Sequence, residues 1–256
     1  MSVSFRPLPA LTIVCTILLA ALVSLGVWQL QRLQWKLALI DLIHRNMNAP
    51  PVRLGDGGHL VWEPETNYLH VTATGRFDNS REAYVFAIGP EGSPVYHVIV
   101  PFRTQDGETY LVDRGFVPRD MKSRATRPAG ISDAEQTING YWRWQDAPGA
   151  FMPKPDLEKR IWYFKDAAGI ARADGIKLWE PPGLIEADAT ANPGGWPRGG
   201  QTHVDVRNDH LQYAITWFLM AAGLVGVYLA YHVSQGRLTF GKTRERKHSS
   251  DDQHAR

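Results

Sequence analysis

Two stretches of this chain limit what it can become, because neither carries a charged side chain. No Asp, Glu, Lys or Arg lies between Arg6 and Arg32, and none lies from Leu211 to Tyr231. A helix needs about 20 apolar residues, rising ~1.5 Å each, to cross a hydrocarbon core of ~30 Å. Residues 8–30 and 210–232 meet that requirement, so both read as transmembrane helices. The first exceeds the apolar segment of a cleaved signal peptide, roughly 7–15 residues. The second has Tyr213 and Trp217 near its start and Tyr228 and Tyr231 near its end, the aromatic distribution of membrane interfaces.

Two spans put both termini on one side. Arg237, Lys242, Arg244, Arg246 and Lys247 follow the second span, and basic flanks face the cytoplasm. Arg32 and Lys36 argue the other way, but the C-terminal cluster is larger. The expected layout is residues 1–7 cytoplasmic, 8–30 spanning, 31–209 extracytoplasmic, 210–232 spanning, and 233–256 a basic cytoplasmic tail. Thr16, Ala20 and Ser24, and likewise Ala222, Gly226 and Ala230, are four apart. These ladders of small residues suggest faces on which the spans pack on each other or on a partner's helices.

The segment between the spans reads differently. Residues 27–44 continue the first helix until Pro50 and Pro51 end it. The hydrophobic period then falls to two, and strands are expected at 69–77, 83–88, 95–102, 109–117, 137–144, 161–164 and 203–206. Turn signals separate them, with a hairpin at Asp106-Gly107. Residues 166–173 read as one short helix, 181–200 as an irregular Pro- and Gly-rich loop, and 242–256 as a disordered tail. The expected fold is therefore a membrane protein with two transmembrane helices flanking one β-rich α+β extracytoplasmic domain, an antiparallel barrel or sandwich.

Several functions are disfavoured. A net charge of +2 gives no nucleic-acid footprint. The single Cys15 excludes an internal disulfide. No phosphate loop, dinucleotide fingerprint, zinc-protease motif or nucleophile elbow is present, so no enzyme is expected. Asp113 and Arg114 are neighbours on a strand and point to opposite faces. Arg114 is thus expected in a structural ion pair or at the surface.

His210 stands out, at the mouth of the second span after the helix-capping types Asn208 and Asp209. On a helix it shares a face with Tyr213, Trp217, Met220, Leu224 and Tyr228. An imidazole above an aromatic groove suits axial ligation of heme iron; a capping or interfacial role suits it equally. The first span runs antiparallel, bringing Trp28 to Arg32 close, and Arg32 or Arg207 would meet anionic propionates. His232 lies about 33 Å further along the helix and cannot serve the same iron.

Three segments resemble the surfeit locus protein 1 family. They are Trp28-Gln29 with Arg32 and Trp35-Lys36, then Val112-Asp113-Arg114-Gly115-Phe116-Val117-Pro118, and Arg207-Asn208-Asp209-His210-Leu211-Gln212-Tyr213-Ala214-Ile215-Thr216-Trp217. Phe116 stands where Trp is frequent in that family, and Gln212 where Glu is. The resemblance implies an assembly factor for heme-copper cytochrome c oxidase. It further implies binding of heme a, with His210 as ligand, and help in inserting it into the catalytic subunit. Implied partners are oxidase subunit I, other assembly factors and membrane lipid, with no small-molecule substrate other than heme. The alternative is a heme-free scaffold that docks oxidase intermediates, with Trp142, Trp144 and Trp162 as contacts. Without a long Arg- and Ser-rich presequence, a bacterial inner membrane is expected, the central domain facing the periplasm.

Overall fold

A computed structural model describes residues 2–55, 64–89, 92–145, 147–178, 182–202, 204 and 208–241. In chain order the elements are β1 (Ser2–Phe5), α1 (Pro9–Asn48), β2 (Val52–Leu54), β3 (His70–Phe77), β4 (Ala83–Ile88), β5 (Pro94–Thr104), β6 (Thr109–Pro118), β7 (Gln136–Trp144), β8 (Ile161–Trp162), α2 (Ala167–Asp174), β9 (Gly183–Ala187), α3 (His210–Ser234) and β10 (Leu238–Gly241). The chain divides into two compact units, residues 1–38 with 207–256, and residues 39–206.

The first unit is a helix pair. Both α1 and α3 are long and apolar enough to cross a membrane. α1 starts on Pro9, whose missing N–H has no partner in a first helical turn anyway. It runs on for about 60 Å, at ~1.5 Å per residue, and stops before Pro50 and Pro51, where the next ring would clash. The helices pack antiparallel. Thr12 Oγ1 meets Tyr228 Oη at 2.7 Å, Gly26 faces the Phe218 ring, and Gln29 meets His210.

The seam is made of Thr12, Cys15, Leu19, Leu22, Gly26, Gln29 and Leu33 on α1. Opposite stand His210, Ala214, Trp217, Ala221, Leu224, Tyr228 and His232 on α3. These positions alternate steps of mostly three and four, as antiparallel helices at a shallow angle require. A Cβ on Gly26 would come within 2.7 Å of the Phe218 ring, so only glycine admits that contact. The pairing of the spans matches expectation, but the seam does not. Thr16, Ala20, Ser24, Ala222, Gly226 and Ala230 are all exposed. The small residues buried in the seam are Gly26, Ala214 and Ala221, and the expected ladders face outward.

A two-stranded antiparallel ribbon absent from the sequence reading, β1 with β10, joins the chain's two ends from Ser2↔Gly241 to Phe5↔Leu238. Phe5 lies against His232, ring centroids 5.3 Å apart. The expected disordered tail, 242–256, lies outside the described residues.

The second unit is a sheet of eight strands, ordered β2-β3-β7-β9-β6-β5-β4-β8, with an added β3–β5 pairing. The pairings β3–β7, β7–β9, β9–β6, β6–β5 and β5–β3 therefore form a closed circuit. The purely antiparallel expectation is corrected. β2 pairs β3, β4 pairs β8, and β6 pairs β9 in parallel. Six of the expected strands are present, with the Asp106-Gly107 hairpin between β5 and β6. Residues 183–187, read as irregular loop, form β9, fully inside the sheet. Of the expected strand at 203–206, only Val204 is described, and it is not in a strand.

β5 and β6 are buried on both faces because two cores use them alternately. Val98, Val100, Phe102 and Val112 pack with Val71, Phe77, Trp142 and Ile185 in one core. Ile99 and Leu111 pack with Val85, Trp162, Leu184 and the apolar face of α2 in the other. Asp166 caps α2 by accepting from the Gly169 N–H at 2.8 Å.

Candidate functional site

His210 opens α3 at the buried edge of the helix seam. Asp209 holds the cap position, but its side chain makes no capping hydrogen bond, contrary to expectation. The imidazole instead bridges the two helices. Its Nδ1 lies 2.7 Å from Gln29 Oε1. An amide oxygen only accepts, so Nδ1 donates, and in the neutral ring Nε2 is the nitrogen with the lone pair. A ring nitrogen oriented through its partner nitrogen is the usual arrangement of a metal-ligating histidine.

The other expected residues distribute unequally around this imidazole. Trp217 is half-buried in the seam, while Tyr213 and Met220 face outward. The single aromatic face expected on α3 is therefore split between the seam and the exterior. Trp28 is 53% exposed. Arg32 turns along its own helix and stacks its guanidinium over Trp35 at 3.9 Å. Arg207 lies outside the described residues. Gln29, the residue that contacts His210, was not singled out in the sequence.

For a heme at this end of the helix pair, the residues present supply one axial donor, His210 Nε2, and exposed aromatic surface from Trp28 and Tyr213. Among the described residues no group of three or more His, Cys, Asp and Glu is arranged to hold a metal. A hollow of about 390 Å³ beside the start of α3 is lined by Asn208, Asp209, Leu211, Gln212, Ile215 and Thr216, without His210. One axial donor is thus what this end of the pair would offer such a group.

His232 sits at the far end of α3, fully buried between Phe5, Tyr228 and Tyr231. Its Nδ1 donates to the Tyr228 carbonyl at 2.9 Å. It takes no part in the His210 arrangement.

The sheet unit holds a second polar centre, built on Asp113 of the segment Val112 to Pro118, whose partners no local motif announced. Asp113 Oδ2 accepts from His97 Nδ1 and from Lys165 Nζ, both at 2.8 Å. Asp113 Oδ1 accepts from the Gly115 N–H at 2.9 Å. Lys165 also donates to Glu186 Oε1 at 2.5 Å. Thr202 donates to Glu186 Oε2 at 2.7 Å, and Arg143 Nε stands 3.8 Å from Glu186. Burial opposes ionisation of Asp113, but the facing His97 and Lys165 outweigh it and hold the carboxyl well below its usual range. Burial likewise works against the charged Lys165, and Asp113 and Glu186 overcome it, so the ammonium is held above its usual value. A β-bulge between His97 and Ile99 brings His97 onto Asp113. The residues come from β5, β6, β7, β9 and two loops, a grouping that only the closed strand circuit creates.

On the opposite face of β6, Arg114 is buried rather than at the surface. It donates to Asn192 Oδ1 at 2.8 Å and lies over the Phe77 ring. The expected ion pair is absent among the described residues. Burial, with the nearby Arg127 adding to it, lowers its guanidinium to about 10 despite Glu82. Trp142 and Trp162 are 2% and 1% exposed, which removes both as partner contacts; they belong to the two cores.

A model of the SURF1 family matches residues 16–222, from α1 to α3. "Surfeit locus protein 1" of Takifugu rubripes is 31% identical over 229 residues, covering 83% of this chain and 92% of the relative. The protein of the same name from Xenopus tropicalis is 35% identical over 215 residues, covering 78% and 68%. The Homo sapiens protein is 35% identical over 216 residues, covering 78% and 70%.

Proposed function

Because the chain belongs to the SURF1 family, we propose that it is a non-enzymatic assembly factor for heme-copper cytochrome c oxidase, holding heme a at His210 before its insertion into subunit I. The observation that carries this reading is the 2.7 Å contact from His210 Nδ1 to Gln29. It spans the two helices and leaves Nε2 as a directed donor. A single axial imidazole binds more weakly than a pair and suits a site that must release its cargo.

The protein is a two-span membrane protein with both termini on the side of the basic tail. The support is the length and composition of α1 and α3 and the Lys and Arg residues after α3. A bacterial inner membrane with a periplasmic sheet domain rests on the sequence alone, since the relatives compared are eukaryotic.

The test is the visible spectrum and heme content of detergent-purified protein from cells that make heme a. Wild type carries a Soret band, and His210→Ala loses it. A colourless wild type overturns the heme reading. A heme-free scaffold is favoured by one observation: Ala222, Gly226 and Ala230 face outward with no side chain over Gly226, open to a partner's helix. Undiminished copurification of oxidase subunits with colourless wild type and with His210→Ala supports that alternative.

A further inference from the structure

The loop between β7 and β8 breaks the ordinary rule for surface loops. Residues 147–155 are Ala-Pro-Gly-Ala-Phe-Met-Pro-Lys-Pro, and every one of them is exposed. Lys154 is the only side chain among them able to hydrogen-bond. Water-facing loops are normally polar, and a run of exposed apolar residues this long calls for a function. Phe151 is 98% exposed, on a turn closed by the Met152 N–H donating to the Gly149 carbonyl at 3.1 Å. Pro148, Pro153 and Pro155 fix their own φ angles, so the tip is stiff and loses little freedom on binding. Leu157, just beyond, is also exposed.

We propose that this loop is a membrane-inserting tip, with Phe151 and Met152 entering the headgroup and acyl boundary of a phospholipid surface and Lys154 meeting lipid phosphate. Three features favour lipid over a protein groove. The exposed apolar side chains here are few, Phe151, Met152 and three prolines, whereas a stable protein interface buries roughly 1,000 Å² with about 20–30 residues a side. Lys154 makes no hydrogen bond or ion pair among the described residues. Lys159, five residues on, is engaged by Asp156 at 3.0 Å, whereas Lys154 is open, among the described residues, to an anionic headgroup. Finally, the sheet unit is joined in sequence to a span-length helix at each end, and tethering to a surface raises the effective concentration of any contact with it. Shallow insertion of two such side chains is then sufficient, as for other interfacial anchors. The proposal rests on the reading of α1 and α3 as spans.

The test uses the full chain in nanodiscs, with Cys15→Ser removing the only native thiol. A nitroxide is attached at Phe151→Cys or, as a water-exposed control on the same unit, at Lys177→Cys. Collisions with oxygen, which concentrates in lipid, are compared with those of a polar nickel chelate, which does not. The expected oxygen-to-nickel ratio at 151 is severalfold that at 177. In phosphatidylglycerol nanodiscs, Lys154→Glu lowers the ratio at 151, and in phosphatidylcholine it leaves it unchanged. A ratio at 151 equal to that at 177 overturns the proposal, as does an immobilised nitroxide that neither reagent reaches, the signature of a protein contact. Alkaline carbonate extraction of the native membranes separates the two readings: release of the chain removes the spans themselves, whereas retention with a low ratio at 151 removes only the tip.

Discussion

Asp113 shows how one carboxylate can depend on partners brought from distant parts of the chain. Its folded-state value lies below that of the unfolded chain because His97 and Lys165 outweigh burial. A lowered carboxyl contributes stability that is present above the unfolded value and lost as pH falls toward the folded one. Stability should therefore decline as pH drops below about 4, where an unfolded Asp takes up its proton. Asp113→Asn should flatten that acid limb, read as denaturation midpoints by the fluorescence of buried Trp142 and Trp162. The Glu82–Arg127 pair gives a sharper test at near-neutral pH. Arg127 donates to both Glu82 oxygens, at 3.1 and 2.5 Å, with each side chain 2% exposed. Arg127→Met leaves Glu82 buried without its cation, though still accepting from the Tyr84 hydroxyl at 3.0 Å, and about 3–5 kcal/mol should be lost. At His210, Gln29→Leu removes the acceptor that orients the ring. Its heme content should fall by roughly 10–100-fold in affinity, the usual effect of losing such an outer partner, with the helix pair still folded.

Among the elements, the helix seam distinguishes interface from exterior more finely than residue size does. Gly26→Ala places a methyl against the Phe218 ring and should cost about 1–3 kcal/mol, the usual penalty of overpacking. Gly226→Ala meets nothing within 4 Å and should change stability by less than about 0.5 kcal/mol. Unfolding in mixed detergent micelles measures both. A larger loss for Gly226→Ala than for Gly26→Ala would move the seam to the small ladders. The long elements were legible because their signals are local. Uncharged runs mark α1 and α3, Pro50 and Pro51 mark the end of α1, and alternation marks β3 to β7. β9 was not legible. Its residues Gly183 to Ala187 are few and flanked by Pro and Gly, and their strand conformation comes from pairing with β6 and β7 on either side.

At the scale of the whole molecule, topology decides what composition could not. The circuit closed by β3 and β5 gives β5 and β6 two buried faces, so alternation along them marks a strand without showing which residue serves which core. The same circuit gathers His97, Asp113, Arg143, Lys165 and Glu186, residues whose spacing along the chain carries no signal. His210 was legible because a lone imidazole at the mouth of an apolar helix is conspicuous. Gln29 lay in the stretch 28–32 expected close by, but its contact with His210 was not legible, since the axial register of the two helices decides which of those residues stands opposite. On the proposed function, this register makes His210 the point through which heme reaches the oxidase. The most direct measurement is the heme a content of oxidase assembled in cells whose only copy of this chain is His210→Ala, at wild-type membrane levels of the variant. The account predicts oxidase depleted of heme a, with Gln29→Leu intermediate. Oxidase with its full complement of heme a in the His210→Ala cells would contradict it.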